Sequence, residues 1–318
     1  FIVSDWNAIH QLPGSFYDQV VLSINAGIDM LMEPYNWASA IDMIVSAVDN
    51  FDISVERIND AVRRILTVKY ERGLFDNPFH KLDSSYLYSQ EHQDLARQAA
   101  RESLVLLKNE NNSLPISKNG NVYISGPASD NVGLLCGGWT TYWQGNPAAD
   151  IGVGTSILDA MTDVLNTNSG TLSNSWQTAD TVVIVLAENP YSEGVGDNSN
   201  LTLTNGNAHP SNSEALLLAE AAHNAGKNVI GVLVSGRLLI LENYLQYFDS
   251  FVAAWLPGSE GGLAISDMLF GYYDFTGKLS YTWPADSSQI GYTSNREDYD
   301  EEYPLFPYGY GLNYNWLA

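Results

Sequence analysis

Hydrophobic and polar positions along the 318-residue chain fall into strand-like runs and helix-like stripes that alternate. Phe1-Ile2-Val3 is a short apolar, partly β-branched run that ends on Ser4-Asp5-Trp6, the pattern of a buried strand opening into a loop. Residues 16–26 carry Phe16, Val20, Val21 and Ile24 at helical spacing and stop at Gly27. Ile28 to Met32 is a second apolar run, and 38–49 is helical with Ile41, Ile44, Val45 and Val48 on one stripe. Ser54 is placed to cap a further helix, whose face is Val55, Ile58, Val62, Ile65 and Leu66 and which reaches about Glu71. The order strand, helix, strand, helix belongs to a parallel sheet with right-handed crossovers. Two strands neither close a barrel nor make a covered sheet. Residues 1–73 therefore read as an incomplete domain that needs strands from the same precursor or from another chain.

Residues 74–90 lack periodicity and hold several turn formers, so they read as a linker. A second domain is expected over 91–318. His92 to Asn109 is taken as a helix with Leu95, Ala99, Ser103 and Leu106 on one face, and Asn121 to Ser125 as a strand. Thr181 to Ala187 is a continuous apolar run, which suits the centre of a sheet covered on both faces. Ser213 to Ala225 is helical, Asn228 to Ser235 and Phe251 to Leu256 are strands, and Leu263 to Phe270 is a helix. This pattern predicts an α/β sandwich of roughly five or six strands, with a tail from Gly271 that holds a hairpin or edge strand.

Charge narrows the partners. With 14 basic and 37 acidic residues the formal charge is −23, which repels phosphate backbones and anionic bilayers. Nucleic acid and membrane are therefore not expected partners, and no run approaches the ~20 apolar residues of a membrane helix. The five histidines show no ligand spacing and Cys136 is alone, so neither a metal nor a disulfide is expected. No cofactor is expected either. A serine triad finds no Gly-x-Ser-x-Gly elbow. Secreted and periplasmic bacterial enzymes often avoid cysteine, and a secreted or periplasmic location is the expectation.

Three stretches hold candidate chemistry. Asp5 and Trp6 stand where a strand opens into a loop, and strand ends are where barrel enzymes carry catalytic groups; an Asp at this point also serves as a helix cap or turn residue. Trp139 and Trp143 lie four apart between glycines, which fits either exposed indoles on a turning backbone or two core residues at helical spacing. In Pro257-Gly258-Ser259-Glu260-Gly261-Gly262 a strand leads into a glycine-flanked carboxylate and then a helix. Glu260 complements the helix dipole or projects as an acid. The turn also resembles a phosphate cradle, but it lacks the Gly-Lys-Ser/Thr signature and contributes a carboxylate. Two carboxylates on separate domains, with tryptophans near them in the plan, are the equipment of a glycosidase.

The chain resembles the C-terminal part of glycoside hydrolase family 3 enzymes of the β-glucosidase and β-glucan exohydrolase type. The matching stretches are Val3-Ser4-Asp5-Trp6-Asn7, Ala26-Gly27-Ile28-Asp29-Met30, Arg101 to Asn109, Gly137-Gly138-Trp139 with Trp143-Gln144-Gly145, Glu188 to Gly194, Trp255 to Gly261, and Pro307 to Leu312. The resemblance implies a (β/α)8 TIM barrel, of which residues 1–73 are the last two β/α units, followed by the α/β sandwich. It implies a retaining enzyme that releases glucose from β-glucosides or β-glucans, with Asp5 as nucleophile and Trp6 beside it. Trp139 and Trp143 match the pair that sandwiches the sugar beyond the cleaved bond, and Glu260 matches the acid/base. Ala8 and Ile9 depart from the small or polar residues common after Asp-Trp-Asn. A rival expectation is a non-catalytic carbohydrate-binding or assembly module, favoured for the isolated chain by its missing barrel strands.

Overall fold

The computed structural model describes residues 1–79, 81, 83–241, 243–289 and 304–314. His80 and the parts of the expected tail at 290–303 and 315–318 lie outside the described residues. The chain divides into two compact units, Phe1–Ser84 and Ser85–Ala318.

In the first unit Val3 pairs in parallel with Met30, with Ser4 N–H donating to the Met30 carbonyl at 3.0 Å. Helix α1 (Phe16–Asn25) makes the crossover between them. Its start is fixed by a capping box, Ser15 accepting from the Asp18 backbone while the Asp18 carboxylate accepts from that of Ser15. Helix α2 (Trp37–Asp49) follows, and α3 (Val55–Glu71) begins at Ser54, which accepts from Arg57 N–H. Arg57 then ties α3 to the strand ends. Its guanidinium donates to the Ile24 and Ile28 carbonyls and to Asp29 at 2.6 Å, and Asp29 also accepts from Ile2 N–H. The Arg57 guanidinium holds the Asp29 carboxyl below its ordinary range.

The apolar stripes of α2 and α3 join the core only in part: Ile44, Val48 and Ile58 pack against it. Ile41, Val45, Val55, Val62 and Leu66 are exposed, whereas Ala40, Ala47 and Ala61 are buried. The core consists of Ile9, Val20, Ile24, Ala40, Ala47 and Ile53. Small alanines let α2 approach α1, with Ile44, Val48 and Ile58 packed half-buried beside them while Ile41, Val45 and Val62 stay outside. The two strands expected at 1–3 and 28–32 are reduced here to the single Val3–Met30 bridge, and Phe1, Ile2, Val3 and Met30 around it are exposed too, although parallel strands are ordinarily covered on both faces.

The second unit opens with α4 (Gln90–Ser103) and holds a six-stranded mixed sheet. Its strands are β1 (Val105–Asn109), β2 (Asn121–Ser125), β3 (Thr171–Leu172), β4 (Thr181–Ala187), β5 (Asn228–Val234) and β6 (Ser250–Trp255), in the spatial order β1-β6-β5-β4-β2-β3. All neighbours are parallel except β1, which runs antiparallel to β6. Every residue of β4 is buried. Its side chains alternate in direction, so Val183 and Val185 join one core and Val182, Ile184 and Leu186 the other. Helices α5 (Val132–Cys136), α6 (Ile157–Thr167) and α8 (Gly261–Leu269) supply the first core, and α7 (Asn212–Asn224) the second.

Several elements of the second unit differ from the expectation, among them α5 and β3, which the sequence pattern did not predict. The helix expected through Asn109 stops at Ser103, Leu104 is extended, and 105–109 is the antiparallel strand. Leu104, Val105, Leu106 and Leu107 are all buried, with Val105 and Leu107 in one core and Leu106 in the other. A helix at that surface would bury one stripe; only a strand buries consecutive residues on two faces. Helix α6 was not expected, though Ser156 caps it and Ile157, Ala160, Met161 and Leu165 are buried at helical spacing. In the tail, Trp283 pairs antiparallel with Phe306, and Leu312 with Leu106.

Candidate active site

In the first unit Asp5 lies two residues past the Val3–Met30 bridge. Ser4 Oγ accepts from Met32 N–H at 2.8 Å and Asn7 N–H donates to the Met32 carbonyl at 2.9 Å, so Asp5 and Trp6 form a short exposed bulge between two anchors. Asn7 takes a left-handed conformation, φ 55°, which turns the chain there. The Asp5 carboxylate accepts from Trp6 N–H at 2.6 Å, and the Trp6 indole, 60% exposed, meets Tyr35 edge-on at 6.2 Å.

In the second unit Glu260 occupies the cap position of α8 but caps nothing with its side chain. It is 3% exposed. Its Oε1 accepts from the Tyr88 hydroxyl at 2.8 Å and from Ser259 Oγ at 3.3 Å. Tyr88 Oη in turn accepts from Gly154 N–H at 2.9 Å. Both hydroxyl donors address one carboxylate oxygen and leave Oε2 for other work. Burial, and then the hydrogen bond to Glu260, push the Tyr88 hydroxyl above its ordinary range, so it remains a donor wherever carboxylates titrate. The turn needs glycine because a Cβ on Gly262 would stand 2.1 Å from the Thr155 carbonyl oxygen. That contact brings 154–156 against the start of α8.

Trp139 and Trp143 are brought together on a loop, not in a core. They are 70% and 53% exposed, with ring centroids 6.5 Å apart and planes inclined at 56°. Trp139 N–H donates to the Trp143 carbonyl, which closes the loop. The Trp143 indole N–H donates to the Glu193 carboxylate and holds that carboxyl below its ordinary range. This loop adjoins the Glu260 turn within the unit. Leu135 O accepts from Gly258 N–H at 2.9 Å, and the Leu256 side chain fills the space beside Gly137. Asp5 and Trp6 thus belong to the first unit, and Glu260, Trp139 and Trp143 to the second.

Sequence reasoning passed over Tyr88 and Arg237. Tyr88 is 172 positions from Glu260, in the stretch read as linker. Arg237 pairs with buried Glu188 at 3.2 Å and stacks on Tyr191 at 4.1 Å. A lone arginine after a strand carries no local signal of such a pairing. Among the described residues no group of three or more His, Cys, Asp and Glu is placed to hold a metal ion, and no helix is long and apolar enough to cross a membrane.

Comparison with known proteins places the chain in a family. Residues 104–314 match the model of the glycosyl hydrolase family 3 C-terminal domain, and residues 1–68 that of the family 3 N-terminal domain. The lysosomal beta glucosidase of Dictyostelium discoideum is 32% identical, over 98% of this chain and 41% of that protein. The periplasmic beta-glucosidase of Salmonella typhimurium is 29% identical, over 98% and 48%. The chain therefore spans less than half the length of these relatives. Among solved structures, an exo-1,3/1,4-beta-glucanase from a Pseudoalteromonas species matches with a TM-score of 0.85 at 36% identity, covering 99% of this chain and 40% of that one. A beta-glucosidase from Listeria innocua in complex with glucose matches with a TM-score of 0.83 at 25% identity, covering 98% and 46%. With a family model matched over most of its length, in both halves and in order, the chain belongs to glycosyl hydrolase family 3.

Proposed function

We propose that the polypeptide containing this chain is a retaining, exo-acting β-glucosidase or β-glucan exohydrolase that acts by double displacement. The observation that carries this reading is Glu260: a buried carboxylate at a strand-to-helix turn, held through one oxygen, in the same unit as two exposed indoles. Asp5 attacks the anomeric carbon while Glu260 protonates the departing oxygen. Glu260 then takes a proton from the water that hydrolyses the glycosyl-enzyme. Trp6, Trp139 and Trp143 offer apolar faces to pyranose rings. The relatives named as β-glucosidases and as an exo-1,3/1,4-beta-glucanase support the substrate class, and those named periplasmic and lysosomal support a location outside the cytosol.

Residues 1–73 act in this reading as the last two β/α units of a (β/α)8 barrel. The exposed apolar side chains of Phe1, Ile2, Val3 and Met30 would be covered by the remaining β/α units of the same polypeptide or of another chain. Residues 74–90 are the linker and 91–318 the sandwich domain that brings the acid/base.

The test uses the full polypeptide and azide. Glu260→Ala is expected to keep glycosylation by a dinitrophenyl β-glucoside, lose turnover of alkyl β-glucosides, and yield β-glucosyl azide. Asp5→Ala is expected to lose turnover on both, with no azide product of retained configuration. Equal losses for Glu260→Ala on both substrates would overturn the assignment.

A further inference from the structure

Trp139 and Trp143 depend on a neighbouring segment for their placement. Trp139 and Thr141 both have positive φ, 61° and 66°, a region that side-chain-bearing residues seldom occupy unless their surroundings impose it. The ties that impose it lead to residues 191–193. Gln144 accepts from Ser192 N–H at 2.8 Å and donates to the Glu193 carbonyl at 3.1 Å, and Trp143 donates to the Glu193 carboxylate. Gly138 lies so close that a Cβ there would stand 2.1 Å from the Tyr191 carbonyl oxygen.

Residues 191–193 are in turn fixed from beneath. Glu188, at the end of β4 and buried, accepts from the Tyr191 hydroxyl at 2.9 Å and from Gly236 N–H at 3.1 Å. Arg237 Nε donates to the Tyr191 hydroxyl at 2.6 Å and lies 3.2 Å from Glu188, and Nη1 donates to the Gly196 carbonyl at 2.9 Å. The Arg237 guanidinium also stacks on the Tyr191 ring at 4.1 Å. The Tyr191 hydroxyl thus gives its proton to Glu188 and receives one from Arg237, so its position is determined from two sides. Its remaining link to the Trp loop is through its own backbone.

We infer that Glu188, Tyr191 and Arg237 form a buttress that sets the spacing and tilt of the Trp139–Trp143 pair, and through it the fit of the sugar beyond the cleaved bond. The three are positioning residues: none of them needs to touch substrate. The inference rests on the functional reading above. It predicts a loss confined to substrates whose departing group is long enough to reach the indoles, because the carboxylate chemistry is untouched.

The experiment measures the full polypeptide with a β-linked glucose disaccharide and with β-glucosyl fluoride, whose departing group is too small to reach the pair. Tyr191→Phe removes one oxygen, and with it both hydroxyl bonds, but keeps the ring under Arg237. Arg237→Lys keeps the charge and loses the planar fork. Each is expected to raise KM for the disaccharide about tenfold while kcat/KM for the fluoride stays within about twofold of wild type. Should Arg237→Lys fail to accumulate, Tyr191→Phe carries the test. Trp139→Ala is measured in parallel. If Trp139→Ala discriminates between the substrates and Tyr191→Phe does not, the buttress is overturned and the Trp reading stands. If Trp139→Ala does not discriminate, the reading of the Trp pair falls and the inference falls with it. Equal losses for Tyr191→Phe on both substrates are the behaviour of a general structural residue and also overturn it.

Discussion

Replacing Tyr88 with Phe removes one hydroxyl from the second unit and tests how Glu260 is aligned. The hydroxyl donates to Glu260 Oε1 at 2.8 Å and is itself oriented by Gly154 N–H at 2.9 Å. A hydrogen bond to a charged group contributes about 1.5–3 kcal/mol. Tyr88 is partly exposed and Ser259 addresses the same oxygen, so water and Ser259 take over part of its work. The lower end of the range applies, about 1.5 kcal/mol, or roughly tenfold in rate. The sign follows from which oxygen is held. Two donors on Oε1 leave Oε2 to carry the transferable proton; with one donor gone the carboxyl rotates, and the proton is presented less often along the line to the departing oxygen. Protonation matters most when the leaving group is poor.

The assay is kcat/KM, which reports the glycosylation step, for an alkyl β-glucoside and for a dinitrophenyl β-glucoside. Tyr88→Phe is expected to lower the first about tenfold and to leave the second within about twofold. Equal losses on both substrates, or no loss on the alkyl glucoside, would refute the alignment role. Tyr88 also has φ 55°, a conformation that costs a bulky residue of order 1–3 kcal/mol; its two hydroxyl bonds offset that cost.

Two further predictions concern stability. Asp267 is buried and accepts from Arg97 at 2.7 and 2.6 Å and from Arg101 at 3.1 Å. Asp267→Ala strands both guanidinium groups, and because Arg97 is 33% exposed the low end of the cost applies, about 3 kcal/mol. Thermal unfolding should shift down by about 6–12 °C, and a shift under about 2 °C would contradict the pairing. His209 titrates lower than an ordinary imidazole because it is partly buried, and its Nδ1 accepts from Ser211 N–H at 3.2 Å. Its folded pKa lies below the unfolded value of about 6.5, so its contribution is fully present above that pH and is lost as pH falls from there through the folded pKa. Urea unfolding at pH 7.5, 6.5 and 5.5 should show a slope that His209→Gln flattens; identical slopes would refute it.

The parts of the fold that were legible are those whose partner is written next to them. The run Thr181–Ala187 announces a doubly covered strand because six of its seven residues are apolar, and all seven are buried; Ser54 announces a helix start because its cap bonds to a residue three positions on, whereas Ser15 caps α1 without having been singled out. Residues 104–109 misled because Leu106 prolongs the spacing of Leu95, Ala99 and Ser103 on α4, while the antiparallel partner, β6, lies nearly 150 positions later. The candidate residues stood out as types: Asp5 past a strand, Glu260 between glycines, two tryptophans in a glycine-rich loop. That Trp139 and Trp143 are exposed and not core was undecided from spacing, since helical and loop pairs share it. Tyr88 and Arg237 left no trace, because a side chain that crosses 172 or 46 positions to its partner imposes no period on the residues around it.

The second unit reaches its site geometry by keeping side chains out of two places. Gly138 and Gly262 each sit where a Cβ would stand 2.1 Å from a carbonyl oxygen, that of Tyr191 in one case and Thr155 in the other. Real Cβ atoms do not approach so closely, so a side chain at either position drives two backbone segments apart. At Gly262 the separated segment is 154–156, whose Gly154 N–H orients Tyr88 and through it Glu260. At Gly138 it is 191–193, whose groups hold Gln144 and Trp143. Gly138 is bonded to Trp139 and Gly262 lies two residues after Glu260, so each glycine acts on its site through the backbone alone. The acid and the aromatic pair therefore rest on a shared principle. The sheet fixes where strands end, close backbone contacts made possible by glycine fix the loops that follow, and a hydrogen-bond partner on a neighbouring segment fixes the side chain: the Tyr88 hydroxyl donating to Glu260, and the Glu193 carboxylate accepting from Trp143.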